Sequence, residues 1–298
     1  MDERRSMWIG KDEHHGVQAQ PRQDLAPPPH WRLEAIAHTP RPRTLTLGRD
    51  GRRAVFTEDR QTSDIWLLDL GSESPPERLT TGREPVPWWD DAAPQLSPDG
   101  TRVAYVDDGH VWVVPAAGGP SRRLAEGGGP IWIDDRRLLI SVERESDRTT
   151  RLAVLEIDDP WPRRLAVAHG DLDAHGDEGD AMPSPDGVEV AYMFTPRADQ
   201  NRSSEIRVAS VEDGTVRKLT GTPDMHDGGP QWSPDGQTIA YASERSGHYE
   251  LHLVGRDGTG DRQLTSAMRV PSGCHSWSEW SAPALVSWRS PVPSRPTR

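Results

Sequence analysis

Lysine is nearly missing from this chain: Lys11 and Lys218 stand against 33 arginines, a bias of composition more than of function. Cysteine is down to Cys274, which excludes an internal disulfide framework. No run approaches the roughly eighteen apolar residues of a membrane span. Met1-Asp2-Glu3-Arg4-Arg5 leads into charged, His-rich sequence without the apolar stretch of a signal peptide. Positive charge is also short. The formal net charge of −12 speaks against a nucleic-acid partner, because phosphate binding calls for a basic surface. These deficits predict a soluble, cytoplasmic protein with no membrane or nucleic-acid partner. Phenylalanine and tyrosine are scarce, but tryptophan reaches twelve, enough to fill layers between sheets.

What the chain does have is a repeat. Ser-Pro-Asp-Gly occurs at 97–100, 184–187 and 233–236, with the variant Gly-Arg-Asp-Gly at 48–51. Gly51 to Gly100 is 49 residues, Gly187 to Gly236 is 49 again, and the 87 between fit two units. A period of 40–50 residues is the signature of propeller blades. Asp50-Gly51, Pro98-Asp99-Gly100, Pro185-Asp186-Gly187 and Pro234-Asp235-Gly236 read as hairpin turns. Proline presets φ, aspartate bonds its own backbone and glycine takes the positive φ.

After each glycine an apolar residue, a small one and an aromatic follow. Val103-Ala104-Tyr105, Val190-Ala191-Tyr192 and Ile239-Ala240-Tyr241 show it best, and Ala54-Val55-Phe56 is a variant. The alternation is period two, so it predicts a strand packed on both faces. Further apolar columns, such as Ile65-Trp66-Leu67 and Leu251-His252-Leu253, lead to closing pairs such as Arg78-Leu79 and Lys218-Leu219. The units are placed at 44–82, 94–127, 130–168, 180–220 and 230–265. In the third, Asp134-Asp135 stands where Asp-Gly belongs and Leu138-Leu139-Ile140 replaces the aromatic pattern. Four short strands cannot bury two faces alone, so the units must stack. The prediction is an all-β protein: a β-propeller of four-stranded antiparallel blades, with five recognisable blades and room for a degenerate sixth.

Residues 1–29, ending in Pro27-Pro28-Pro29, read as an unstructured leader, and 30–265 as the propeller, with Trp31–Ala37 a candidate closing strand. Residues 266–298 are discordant: all but one of the 47 acidic residues precede Ser266, the exception being Glu279. The tail is expected to be a degenerate blade or the product of a disrupted frame. Ser276-Trp277-Ser278 resembles Gln231-Trp232-Ser233, but no Pro-Asp-Gly follows. A ring left open would expose an apolar sheet face and self-associate.

The run from Pro230 through Gly247, closed by Arg262-Gln263-Leu264-Thr265, resembles the TolB-type, WD-like propeller repeat. More narrowly, Trp31 to Thr265 resembles the N-terminal propeller of bacterial prolyl oligopeptidase family serine peptidases, the dipeptidyl and acylaminoacyl peptidases. That resemblance implies a propeller capping an α/β-hydrolase domain and gating peptide access to it. The family's catalytic serine sits C-terminal to the propeller on Gly-x-Ser-x-Gly, a motif this sequence lacks. Ser243-Glu244-Arg245-Ser246-Gly247 and Ser272-Gly273-Cys274-His275 miss the flanking glycines. No catalytic residue carries over, no cofactor is expected, and the partners implied are a hydrolase domain or other protein and a peptide. The alternatives are a TolB-like interaction propeller and, less favoured, a metal-dependent propeller enzyme.

For a metal, the densest cluster is Asp171, Asp173, His175 and Asp177, with Gly176 at the sixth place of an EF-hand-like spacing. Met182 stands where the closing glutamate belongs, and a solvated loop is the simpler reading. His226 and Asp227 fall in the equivalent loop before the next unit. Glu143, Glu145, Glu244 and Arg245 follow second strands, where charged loops are the default. Loops at one rim of a rigid scaffold are where ligands bind.

Overall fold

The computed structural model describes residues 42–58, 63–83, 93–146, 148–159, 161–165, 176–196, 203–221 and 225–266. The leader, Trp31–Ala37 and the chain after Ser266 lie outside them. The described residues form five four-stranded antiparallel sheets, each with its strands in chain order. Blade 1 is β1 (Pro42–Leu47), β2 (Arg53–Glu58), β3 (Ile65–Asp69) and β4 (Glu77–Arg78). Blade 2 is β5 (Gln95–Leu96), β6 (Arg102–Asp107), β7 (His110–Pro115) and β8 (Arg122–Glu126). Blade 3 is β9 (Gly128–Trp132), β10 (Arg137–Arg144), β11 (Thr149–Glu156) and β12 (Arg163–Arg164). Blade 4 is β13 (Gly176–Pro183), β14 (Glu189–Pro196), β15 (Glu205–Ser210) and β16 (Val216–Lys218). Blade 5 is β17 (Asp227–Trp232), β18 (Thr238–Ser243), β19 (Glu250–Gly255) and β20 (Arg262–Gln263).

The repeated tetrapeptide makes the first hairpin of its blade. Gly51, Gly100, Gly187 and Gly236 have φ of 65°, 70°, 69° and 68°, the left-handed region that a β-carbon disfavours. In blade 2 the Ser97 hydroxyl donates to Asp99 (2.6 Å) and accepts from Arg102 N (3.0 Å). Asp99 also accepts from Thr101 N at 2.9 Å. Ser184–Asp186 and Ser233–Asp235 repeat this lattice. In blade 1, where Gly48 replaces serine, Asp50 keeps the bond from Arg52 N and pairs with Arg53 at 3.6 Å.

Blade 3 has the predicted strands but a different turn. Elsewhere the closing amide bonds a carbonyl five positions on, as from Ser97 to Arg102; here Ile133 N reaches Arg137 O, four on. The turn is one residue shorter, and Asp134 and Asp135 keep negative φ. Asp134 still makes the aspartate's bond to the amide two residues on, as Asp99 does to Thr101 N, but no left-handed glycine follows it. It caps Arg136 N and Arg137 N, both at 2.8 Å. Blades 4 and 5 also start earlier than the pattern suggested, at Gly176 and Asp227.

Packing explains the apolar-small-aromatic column. Strand alternation turns the small residue to the next blade and its two neighbours to the previous one. Tyr105 of blade 2 packs with Val55 of blade 1, Ile140 with Ala104, Tyr192 with Leu139, and Tyr241 with Ala191. Among the described residues the main contacts between sheets run between successive blades, and the first strands lie side by side, β1 with β5, β5 with β9, β9 with β13 and β13 with β17. Among the described residues no comparable contact joins blade 5 to blade 1. Leu45 and Leu47 on blade 1 are accordingly 49% and 46% exposed.

Candidate functional site: the rim where blades join

Antiparallel pairing puts all the first hairpins on one rim. The start of each inner strand, the end of its partner and the chain between blades fall on the other. On the hairpin rim arginines tie neighbouring turns together. Arg53 donates to Gly100 O (2.7 Å) and Arg102 to Asp135 O (2.8 Å). A side chain at residue 100 would collide with the Arg53 guanidinium, a second reason for Gly100. Arg256 bonds Asp186 (2.7 Å) and Glu189 (2.6 Å). The Arg256 bond, with Ser184 helping, holds the Asp186 carboxyl at about 2. An open cleft of about 640 Å³ lies here, lined by residues that include Glu189, Arg217 and Arg256. Both arginines are bound to Glu189, so the cleft offers little uncommitted positive charge.

The joining rim carries the buried charges. Between blades 1 and 2, Arg83 is buried, faces Asp107 (3.3 Å), donates to Ser63 O and Val106 O, and lies over the Tyr105 ring. Between blades 3 and 4, Glu178 accepts from Leu152 N (2.8 Å) and meets Arg151 (3.4 Å). Burial pushes the Glu178 carboxyl up, with Leu152 N and Arg151 opposing. Arg207 stacks 3.5 Å from the Phe194 ring centre and bonds Glu205 at 2.7 Å.

Between blades 4 and 5 stands Asp227, fully buried, with no hydrogen bond to either carboxylate oxygen. Its nearest cation, Arg245 Nη2, is 4.0 Å away. Arg245 is engaged elsewhere: it bonds Asp261 (2.6 Å), Ser243 Oγ (3.0 Å) and the Tyr241 hydroxyl. Tyr241 donates to Asp261 at 2.7 Å. Burial would raise Asp261, but bonds from Arg245 and Tyr241 hold it below the ordinary value. His252, against the Tyr241 ring, has no hydrogen bond at either nitrogen and lies 3.6 Å from Asp261. Burial and then the Arg245 charge press its pKa down, so the imidazole is neutral at pH 7. Burial and the donation to Asp261 keep Tyr241 protonated.

This group can accept or donate hydrogen bonds but holds no poised nucleophile. Ser243 is fully buried with its hydroxyl spent on Arg245. Among the described residues no three His, Cys, Asp or Glu side chains converge where a metal could sit. Of the metal candidates, Asp171, Asp173 and His175 lie outside the described residues. Asp177 accepts from Thr150 N at 2.8 Å. Gly176 to Pro183 is strand β13, paired with β14, not the second half of a loop. His226 bridges to Ser204 across the blades, its Nδ1 3.4 Å from Ser204 Oγ. Glu143 pairs with Arg148 at 3.3 Å on the surface, and Glu145 is exposed. The Tyr241–Asp261–His252 contacts escaped the sequence, since they join three columns of one blade whose register only the fold supplies.

No protein-family model matches the chain. It is 28% identical over 244 residues to a putative tricorn protease homolog of Streptomyces coelicolor, covering 68% of this chain and 18% of that protein. It is 32% identical over 91 residues to dipeptidyl-peptidase 5 of Porphyromonas endodontalis, 30% of this chain and 13% of that protein. The chain thus spans a fifth or less of the curated relatives it matches. Among solved structures, a putative TolB from Agrobacterium tumefaciens superposes with TM-score 0.52 at 19% identity, over 74% of this chain and 79% of that one. A puromycin-hydrolyzing peptidase from Mycobacterium tuberculosis gives 0.57 at 16% identity, over 78% and 40%.

Proposed function

We propose that this TolB-like β-propeller, related in sequence to tricorn protease homologs and a dipeptidyl-peptidase, serves as a non-catalytic peptide-access domain beside an α/β-hydrolase. The observation that carries the reading is the sequence kinship itself, which reaches peptidases while this chain lacks Gly-x-Ser-x-Gly. The joining rim suits the part: most of its buried charges, such as Arg83, Glu178 and Arg207, are bonded across or beside the joints, which makes a rigid frame. The cytoplasm is the compartment this reading favours. Acyl transfer needs a serine activated by a histidine and donors at the oxyanion. The chain alone is therefore expected to leave dipeptidyl and acylaminoacyl substrates intact and to ignore a fluorophosphonate probe. Labelling of one serine in the folded protein, abolished by heat, would overturn it. Peptide cleavage that becomes size-selective when the chain is added to a hydrolase partner is the positive result.

A second reading, an interaction propeller, has one observation in its favour. Trp161, on the β11–β12 loop next to Pro162, is 80% exposed. A bare tryptophan on a rim is the residue type that anchors protein interfaces. Loss of a co-purifying partner in Trp161→Ala, with peptide gating unaffected, would favour this reading over the first.

A further inference from the structure

Blade 5 holds one cation between two carboxylates. Arg245 bonds Asp261 through Nη1 at 2.6 Å, while its Nη2 stands 4.0 Å from Asp227. Asp227 is fully buried and neither carboxylate oxygen takes a hydrogen bond, an arrangement that costs free energy while the group is ionised. Its charge lacks a close cation because Arg245 is committed to Asp261.

A second cation is within reach. His252 is buried, has no hydrogen bond at either nitrogen and stands 3.6 Å from Asp261. Neutral, it leaves one cation for the two acids; protonated, it makes two for two.

The repeat shows that a cation fits this place. His252 lies opposite Tyr241, as Arg207 lies opposite Tyr192 in blade 4. Arg207 is buried over the Phe194 ring and bonds Glu205, two residues before it on β15, at 2.7 Å. Blade 5 repeats the pair with Glu250, buried two residues before His252 and bonded by the Thr265 hydroxyl. A permanent cation in blade 4 is thus a titratable one in blade 5. Around His252 the other charged and titratable groups are Asp227 on β17, Tyr241 on β18, Arg245 on the following hairpin and Asp261 before β20. Gln263, opposite His252 on β20, is uncharged, and blade 4 turns apolar Ile206 and Leu219 to the Tyr241 cluster. His226, next to Asp227, faces Ser204 instead.

We propose that His252 and Arg245 form a proton-driven switch: on protonation His252 pairs with Asp261, and Arg245 turns to Asp227, resetting the 244–249 hairpin on the joining rim. Asp261, a third exposed, is the route by which the proton arrives. Arg245 Nε keeps its bond to Ser243 Oγ as a pivot, and Nη2 needs about 1 Å of travel to bond Asp227. Burial and the Arg245 charge place the exchange below the ordinary histidine range. The device is independent of whether the chain gates a hydrolase or binds another partner.

An NMR pH titration of the full chain, following the His252 ring and the Arg245 Nε–H together, tests this. The two signals are expected to inflect at one midpoint. His252→Gln should abolish the Arg245 inflection. Asp227→Asn should lower the His252 midpoint and remove more than half of the Arg245 change. His252→Arg, which copies blade 4, should hold the Arg245 signal at its acid-limit position even at neutral pH. A flat Arg245 signal across the His252 titration would overturn the proposal. So would an inflection that survives His252→Gln or is unchanged in Asp227→Asn, or a His252 ring that stays neutral until the fold is lost.

Discussion

The joints between blades 3 and 4 and between blades 4 and 5 place a carboxylate at one register position and use it differently. Glu178 lies opposite Phe194 and Asp227 opposite Ser243, each two residues beyond the blade's tyrosine, Tyr192 or Tyr241. Glu178 crosses to blade 3 and takes the Leu152 amide. Asp227, one methylene shorter, takes nothing. The reason lies in the neighbour. In blade 4 the matching amide, Ile206 N, is already held by Thr220 Oγ1 at 3.0 Å. Thr80 and Thr265 do the same for Ile65 N and Leu251 N. In blade 3 the residue after Arg164-Leu165 is Ala166, so that amide needs a donor's partner from outside, and Glu178 provides it. The threonine missing from blade 3 thus makes an acid necessary in blade 4.

The largest effect should follow breaking the joint that depends on its acid. Glu178→Ala strands Leu152 N and leaves Arg151 buried without its partner, at a cost of about 3 kcal/mol in urea unfolding. A loss under half of that would remove the distinction between the joints. Next, Thr220→Val exposes Ile206 N to the same want and should cost about 1–2 kcal/mol. Adding Asp227→Glu in that background rebuilds the blade 3–4 arrangement and should recover part of the loss, while the same change in the unmutated chain recovers nothing.

A smaller effect is expected on the hairpin rim. Asp186 has its carboxyl lowered from 3.8 to about 2, chiefly by Arg256. A lowered acid stabilises the fold above its unfolded value, and that contribution fades as pH falls from about 4 towards 2. The pair is part-exposed, so Asp186→Asn should flatten the acid limb of stability by less than about 1 kcal/mol. The smallest change is Asp227→Asn. With no bond to lose, it should shift the urea midpoint little or raise it; a loss as large as that of Glu178→Ala would show that Asp227 is satisfied after all.

The blades were legible because their information is local. Gly51, Gly100, Gly187 and Gly236 mark a φ only glycine adopts freely, and the apolar-small-aromatic triplet carries the strand period. The blade 3 turn was misjudged because a deletion and a substitution look alike in one sequence; only the four-residue reach from Ile133 to Arg137 separates them. Asp227, His226 and Arg245 were visible as polar loop residues. That Asp227 is buried and Arg245 committed to Asp261 was not, since burial depends on the sheet stacked above. Nothing in the sequence sets Glu178 apart from its acidic neighbours Asp177 and Asp180, because the need it meets arises at Leu152, in another blade.

The succession of contacts from blade 1 to blade 5 has a mechanical consequence. Within the described sheets, the packing between blades runs from each blade to its chain neighbours, so these five blades form a succession of four joints. Cooperativity in such an array is carried joint by joint. Blade 3, at the middle of that succession, is where the last amides of the described sheets should open, and a break in either of its joints would divide those sheets into two groups that melt apart.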